Sequence, residues 1–312
     1  MVDANARARL RELTTEHLGL APSALVDTRL DAALARLDEY KFALESLTTS
    51  AFTAPAWQAV IGAVTIGETN FFRQPGWFAQ LEQQILRPAL EGRESKRLRI
   101  WSAGCATGEE AYSLAMLVDR LLPKNGDWDI GITGTDINLA FLGEARAATY
   151  REWALREVDE ATRERHFRKT ESGRFELLPA TRDRVSFEPL NLCGDGGLPS
   201  GVDLIICRNV LMYLAPERQR AIAQRLIASL APGGWLATAP AEANAEWFLP
   251  LTPVNVPSAI FFHKNAPGDV PLPARTNRVP LPAHAPADLS ESAAGLAAAR
   301  RALDTSLHRT DN

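Results

Sequence analysis

WSAGCATGEEAYS, residues 101–113, carries an apolar strand into a helix through a run of small residues. The strand is Leu98–Ala103 and the helix Glu109–Leu122. Between them, Gly104 and Gly108 let the backbone pass close to a ligand without interference from a Cβ atom. In an open α/β sheet, ligands gather at the carboxyl ends of the strands. The same alternation continues downstream. Ile130–Thr135 reads as a strand and Asn138–Ala148 as a helix, with further strands at Val185–Pro189, Val202–Cys207, Trp235–Pro240 and Ala259–Lys264. Pro216 opens another helix, where its missing N–H costs nothing, and Pro232-Gly233-Gly234 stops that helix near Leu230. Strand–helix alternation predicts an α/β fold, a mostly parallel sheet with helices on both faces.

Upstream, residues 1–75 read as a helical domain, because Leu10 and Leu13, then Leu30, Ala33, Leu34 and Leu37, recur at helical spacing. Ala21-Pro22-Ser23 and Thr53-Ala54-Pro55 break it into separate helices. The α/β domain is expected over 76–265, interrupted at 151–184. That interruption holds a charged helix, Arg156–Arg168, a turn at Glu171-Ser172-Gly173 and short alternating segments, which together predict a small inserted hairpin subdomain. Residues 266–289 are rich in proline and alanine, as an extended linker is. Residues 290–312 return to helix, with Ser290 as its cap, packed on the body or opening a repeat domain.

Composition narrows the function classes. A net charge of −4 and a pI of about 5.8 argue against nucleic acid as a partner, since phosphates call for a basic face. Cys105, Cys193 and Cys207 form no CxxC pair, so neither a zinc site nor a disulfide framework is expected, and a reducing compartment is the simplest reading. The opening MVDANARARLRELTTEHL lacks the apolar core of a signal peptide, and no apolar run is long enough to span a bilayer. A cytoplasmic protein without membrane insertion is expected. His17, His166, His263, His284 and His308 show no metal-ligand spacing, so no metal is expected.

The turn itself distinguishes among cofactors. A dinucleotide site uses G-x-G-x-x-G to admit a pyrophosphate. Here the spacing is G-x-x-x-G, and Glu109 and Glu110 follow at once. Carboxylates at that position repel phosphate but suit the ammonium or sulfonium charge of S-adenosylmethionine. Asp136, in GTDIN, closes the second strand, where an acid can accept hydrogen bonds from both ribose hydroxyls or, more simply, cap the next helix.

Three further blocks join this one: TIGETNFFR (65–73), CRNVLMYL (207–214) and LAPGGWLATAPAE (230–242). With them the chain resembles the CheR-type chemotaxis receptor methyltransferases over roughly residues 1–265. The resemblance implies a class I S-adenosylmethionine-dependent, Rossmann-like methyltransferase domain, with the donor lying between it and the N-terminal helical domain. It implies esterification of glutamate side chains on the cytoplasmic helical region of a chemoreceptor-like protein, with S-adenosylhomocysteine as product. By the same resemblance, Thr69 and Arg73 reach the donor, Glu110 holds its amino-acid end and Asp136 its ribose, beside the close backbone approach at Gly104. Asn191 and Leu192 lie along the adenine, and Arg208 and Asn209 approach the methionine moiety. Arg73 and Tyr213 stand by the methyl group and the incoming carboxylate as the catalytic pair. Plainer roles exist for several of these residues. Phe71 and Phe72 suit core packing, Arg73 a surface ion pair, Arg208 a structural salt bridge, and Tyr213 packing on its helix.

The sequence also departs from the family pattern. Gly67 stands where some members carry Asn, which removes one side-chain contact to the donor. Residues 1–60 are not noticeably basic, leaving a few arginines such as Arg29 and Arg36 to meet an acidic receptor helix. The turn RKTESGR (168–174) is shorter than in members that dock a receptor's tethering peptide, so no dependence on such a peptide is expected. The tail resembles members with a C-terminal helical repeat domain. Because a glutamate carboxylate, with a pKa of about 4.3, is already a nucleophile at neutral pH, no general base is required. The alternative readings are a non-catalytic S-adenosylmethionine-binding regulator and a methyltransferase acting on a small molecule or RNA.

Overall fold

A computed structural model describes residues 4–122 and 127–266, Gly92 apart; the expected linker past 266 and the C-terminal helix lie outside the described residues. Helices α1 (Ala4–Leu18), α2 (Ala24–Glu39) and α3 (Pro55–Val64) come first. The Ser23 hydroxyl caps α2 by accepting the Val26 N–H at 3.2 Å, and Pro55 opens α3. The apolar spacing does what it predicted: Leu10, Leu13, Leu30, Leu37 and Trp57 are buried in one cluster.

A helical stretch that the sequence reading did not anticipate follows. Gln74, at a left-handed φ of 64°, turns the chain into α4 (Pro75–Leu81), which runs through a wide π-type turn at Glu82–Leu86 into α5 (Arg87–Glu91). Trp77, Phe78, Leu81, Ile85 and Leu86 bury its inner face.

Next come β1 (Arg97–Ala103), α6 (Glu109–Leu121), β2 (Asp129–Asp136) and α7 (Leu139–Ala147). Asn138 caps α7 by accepting from Ala140 N at 2.9 Å and Phe141 N at 3.3 Å. The inserted region contains β3 (Thr149–Tyr150), α8 (Glu160–His166), β4 (Phe167–Lys169), β5 (Phe175–Leu177) and α9 (Pro179–Arg182), its strands forming a small antiparallel sheet in the order β3-β5-β4. The charged helix expected over Arg156–Arg168 is shorter than that. Asp159 accepts the Thr162 N–H and fixes the helix start, while Phe167 leaves for the sheet because its ring packs against Phe71.

The chain closes with β6 (Val185–Pro189), β7 (Val202–Cys207), α10 (Pro216–Ser229), β8 (Leu230–Thr238), β9 (Thr252–Val256) and β10 (Ala259–His263). Helix α10 ends at Ser229 with Leu230 as its C-cap, as expected, while Pro232-Gly233-Gly234 lie beyond it in an irregular start of β8, where Gly233 N donates to Lys264 O at 2.8 Å and the register shifts against β7. Strand β9 was also unforeseen; it carries Pro253 and lies at a sheet edge, where proline is tolerated.

The main sheet has the order β6-β2-β1-β7-β8-β10-β9, parallel from β6 to β8, with β10 and β9 antiparallel. Side chains alternate across it. Leu98, Ile100, Leu204 and Phe261 pack with Trp77 and Leu114, whereas Trp101, Ile205 and Phe262 pack with Ile222 and Leu226 of α10. Both faces are therefore covered, which explains the near-continuous apolar strands. No helix among the described residues is long and apolar enough to cross a membrane.

Hydrogen bonds tie the N-terminal helices to this sheet. Gln58 donates to Ile137 O at 3.1 Å and accepts from Leu139 N at 2.9 Å, holding α3 against the end of β2. Replacing Gln58 by Ala leaves these partly buried groups without partners. A loss of roughly 1–3 kcal/mol in urea-induced unfolding is expected; an unchanged midpoint would show the bridge to be dispensable.

Candidate active site

Strand β1 ends at Ala103, and the turn behind it is fixed by the neighbouring strand. Thr135 O accepts N–H bonds from both Gly104, at 2.8 Å, and Cys105, at 2.9 Å. Gly104 has φ +77°, and a Cβ there would lie 2.3 Å from Val210 Cγ2, so this position admits no side chain. Gly108, at φ +93°, starts α6 and is closed in by Ala145 and Phe187. The Asp136 carboxylate crosses under the turn, accepting from Ala106 N at 2.9 Å through one oxygen and from Asn138 N at 2.9 Å through the other. Burial raises its pKa, while these N–H donors pull the other way. Asp136 thus secures both the turn and the start of the next loop, and its side chain still lines the recess above.

Above the turn lies a half-open, mostly apolar recess with an enclosed volume of about 140 Å³. Gly104, Asp136, Asn191, Leu192, Asn209 and Tyr213 all line it. Its apolar wall includes Leu18, Val26 and Val64 from the N-terminal helices and Leu20 from the link between α1 and α2, which sequence reasoning did not single out. Phe141 completes that wall and leaves no room at Gly67, where a Cβ would lie 2.6 Å from the Phe141 ring.

Thr69, Arg73, Glu110 and Arg208 do not line this apolar recess; the last two meet each other. Glu110 accepts from Ser102 Oγ at 2.7 Å and from Arg208 Nη1 at 3.3 Å. Arg208 also donates to Gln74 Oε1 at 2.6 Å and Arg73 O at 3.2 Å, and its guanidinium lies 4.0 Å from the centre of the Trp77 ring. Its side chain is almost wholly buried, which lowers its pKa, and its Nε is buried without a partner. Arg73 is half-buried and donates to Glu68 O at 2.8 Å, and Thr69 is half-buried on the same segment. Phe71 is fully buried against Tyr150 and Phe167, and Phe72 packs on Phe78, so both phenylalanines serve the core.

Tyr213 is half-buried, and its carbonyl accepts from Ala21 N at 2.9 Å. Burial raises its pKa, with the positive field of Arg73 opposing and Glu242 and Glu68 adding to the rise. The phenol is therefore protonated at neutral pH, a donor rather than a base. Arg29 of α2 also acts on Tyr213 and is itself held by donation to Thr65 O at 2.7 Å. Arg36, by contrast, lies against Gly62 of α3. Among the described residues, no cluster of three or more His, Cys, Asp or Glu could hold a metal ion.

A glycine turn after β1, an acid closing β2 and a recess at the carboxyl ends of the parallel strands form a nucleotide-cofactor site, and comparison with known proteins makes its class an S-adenosylmethionine-dependent methyltransferase. A family model described as CheR methyltransferase, SAM binding domain, matches residues 67–246. Chemotaxis protein methyltransferase 1 of Pseudomonas aeruginosa is 36% identical over 190 residues, 60% of this chain and 69% of that protein. A probable chemotaxis protein methyltransferase of Rhizobium etli is 35% identical over 194 residues, 61% of this chain and 72% of that one. The chain belongs to the CheR methyltransferase family.

Glu109, beside Glu110, faces the inserted sheet rather than Arg208. It is buried and accepts from Thr107 Oγ1 at 2.6 Å, while Tyr150 donates to the Thr107 carbonyl. Burial pushes its pKa up to about 7, against the bond from Thr107. Between the ordinary carboxylate value of 4.5 and about 7, the folded chain keeps a proton that the unfolded chain has released, so stability falls as pH rises through that window. Glu109→Gln should melt close to the parent at pH 5 and a few degrees above it at pH 8. A melting difference that does not change with pH would contradict this.

Proposed function

We propose that the protein transfers a methyl group from S-adenosylmethionine to glutamate side-chain carboxylates on the cytoplasmic helical region of a chemoreceptor-like protein. The observation that carries this reading is one recess bordered by the Gly104–Gly108 turn and Asp136 on one side and by Tyr213 on the other, with Arg73 and Arg29 acting on Tyr213. The relatives' names, chemotaxis protein methyltransferases, support the receptor as substrate.

The residues fit the donor. Each Asp136 oxygen already accepts one backbone N–H and retains lone-pair capacity for a ribose hydroxyl. Asn191 and Leu192 flank the apolar wall that would take the adenine. Glu110 suits the donor's ammonium group, and the orphaned Nε of Arg208 suits its carboxylate, which would remove a buried donor's cost. Asn209 borders the same end. Thr69 and Arg73 come from the segment between α3 and α4. When bound, the donor supplies an electrophilic methyl group on a cationic sulfur.

The protein's part is then alignment and partial drying of an oxygen nucleophile. Arg73 orients the incoming carboxylate, and the protonated Tyr213 donates to the oxygen that does not attack. Arg29 reinforces the positive field from the helical side. No residue needs to remove a proton, because the substrate is ionised at neutral pH. Holding oxygen, methyl and sulfur in line is worth several kcal/mol on the scale of effective concentrations. The β4–β5 connection is closed by Thr170 N to Arg174 O at 2.8 Å, a tight turn that supports operation without a receptor tether.

Asp136→Ala should weaken S-adenosylhomocysteine binding roughly 10-fold or more by calorimetry, the cost of one or two lost hydrogen bonds to a charged acceptor. Tyr213→Phe should retain that affinity and lower the release of base-labile methyl groups from receptor-containing membranes. Equal loss of binding in both variants, or label that resists base, would overturn the assignment.

A further inference from the structure

We propose that Glu242 is a positioning residue for this reaction, a buried carboxylate that sets the loop carrying Asn209 and Tyr213. The proposal rests on the functional reading above but concerns a residue outside the recess. Glu242 ends the short 3₁₀ turn Pro240–Glu242 after β8 and is only 2% exposed. Its two oxygens accept three N–H groups of the loop that follows β7: Asn209 at 2.6 Å, Val210 at 2.7 Å and Met212 at 3.1 Å.

The loop cannot satisfy these donors itself. Asn209 sits at φ +58°, a left-handed conformation that asparagine tolerates, and this breaks any regular hydrogen-bond ladder there. Buried N–H groups left without acceptors are costly, so an acceptor must come from elsewhere. A carboxylate offers two oxygens, whereas the amide of glutamine offers only one and brings donors of its own.

The remaining groups of the loop are fixed by other elements. Gln219 of α10 donates to Leu211 O at 2.9 Å and Leu214 O at 3.0 Å. Ala21 N donates to Tyr213 O, and Ala215 N donates to Gly19 O, each at 2.9 Å. Tyr213 is thus held between the segment Gly19–Ala21, which joins α1 to α2, and a loop whose N–H groups are bound by Glu242. Val210 in the same loop occupies the space that a Cβ on Gly104 would need. A shift of the loop therefore moves the phenol relative to the turn that cradles the donor, and displacements of about 1 Å can cost on the order of 100-fold in rate.

The test is Glu242→Gln, assayed with tritiated S-adenosylmethionine and receptor-containing membranes, alone and combined with Tyr213→Phe. In folded Glu242→Gln, kcat should fall roughly 10- to 100-fold while affinity for S-adenosylhomocysteine changes by less than about 3-fold. In the Tyr213→Phe background the same substitution should have little further effect, since it acts through Tyr213. Gln219→Leu, which removes the partners of the loop carbonyls, should give a weaker form of the same pattern and serves if Glu242→Gln does not fold. Full activity in the folded variant, or losses that simply multiply in the double variant, would overturn the proposal while leaving the functional reading intact. A parent protein that binds the product but labels no receptor would sink the functional reading, and this proposal with it.

Discussion

The buried guanidinium of Arg208 is the constraint on which the site depends. A desolvated cation is tolerable only when charge and hydrogen bonds surround it. Here the partners come from separate parts of the chain: Glu110 at the start of α6, Gln74 and the Arg73 carbonyl ahead of α4, and the face of Trp77. One side chain at the end of β7 therefore holds the glycine turn and the phenylalanine segment in register. Trp77 is itself anchored, by its Nε1 donating to Thr238 O at 3.3 Å, so the cluster extends across to β8.

The N-terminal helices contribute to this geometry directly. They supply the apolar wall of the recess, and the segment between α1 and α2 bonds to the backbone at Tyr213. Asn191 donates to His17 O at 2.8 Å, which ties the Asn191 side of the recess to the end of α1. The polar groups around the recess are mostly engaged with backbone, and this keeps irregular loops in one conformation where ligand contacts require it. Two carboxylates a residue apart illustrate how environment divides labour. Glu110 meets Arg208, whereas Glu109 is buried, and that burial raises its pKa to about 7.

Local chemistry made part of this legible before any coordinates. The strand, turn and helix around Gly104 and Gly108 follow from apolar runs punctuated by residues that accept positive φ, and Asp136 follows from its place at a strand end. Pro75 opens a buried helix and Pro253 sits in an edge strand, two elements that the local pattern did not bring out. A site role for Arg73, Arg208 and Tyr213 rests on resemblance to a family, because an arginine after a strand has the same local pattern whether it serves a ligand or a salt bridge.

The sequence by itself determined the alternation of elements, the glycine turn and the acid that underlies it, because these depend on neighbours a few residues away. Tertiary structure alone decided that Glu242 binds the loop of Tyr213, that Phe141 leaves no room at Gly67, and that Arg208 pairs with Glu110. Those partners stand from about 30 to nearly 100 residues apart in the chain. Only the packed sheet brings them within bonding distance, so no local pattern could record them.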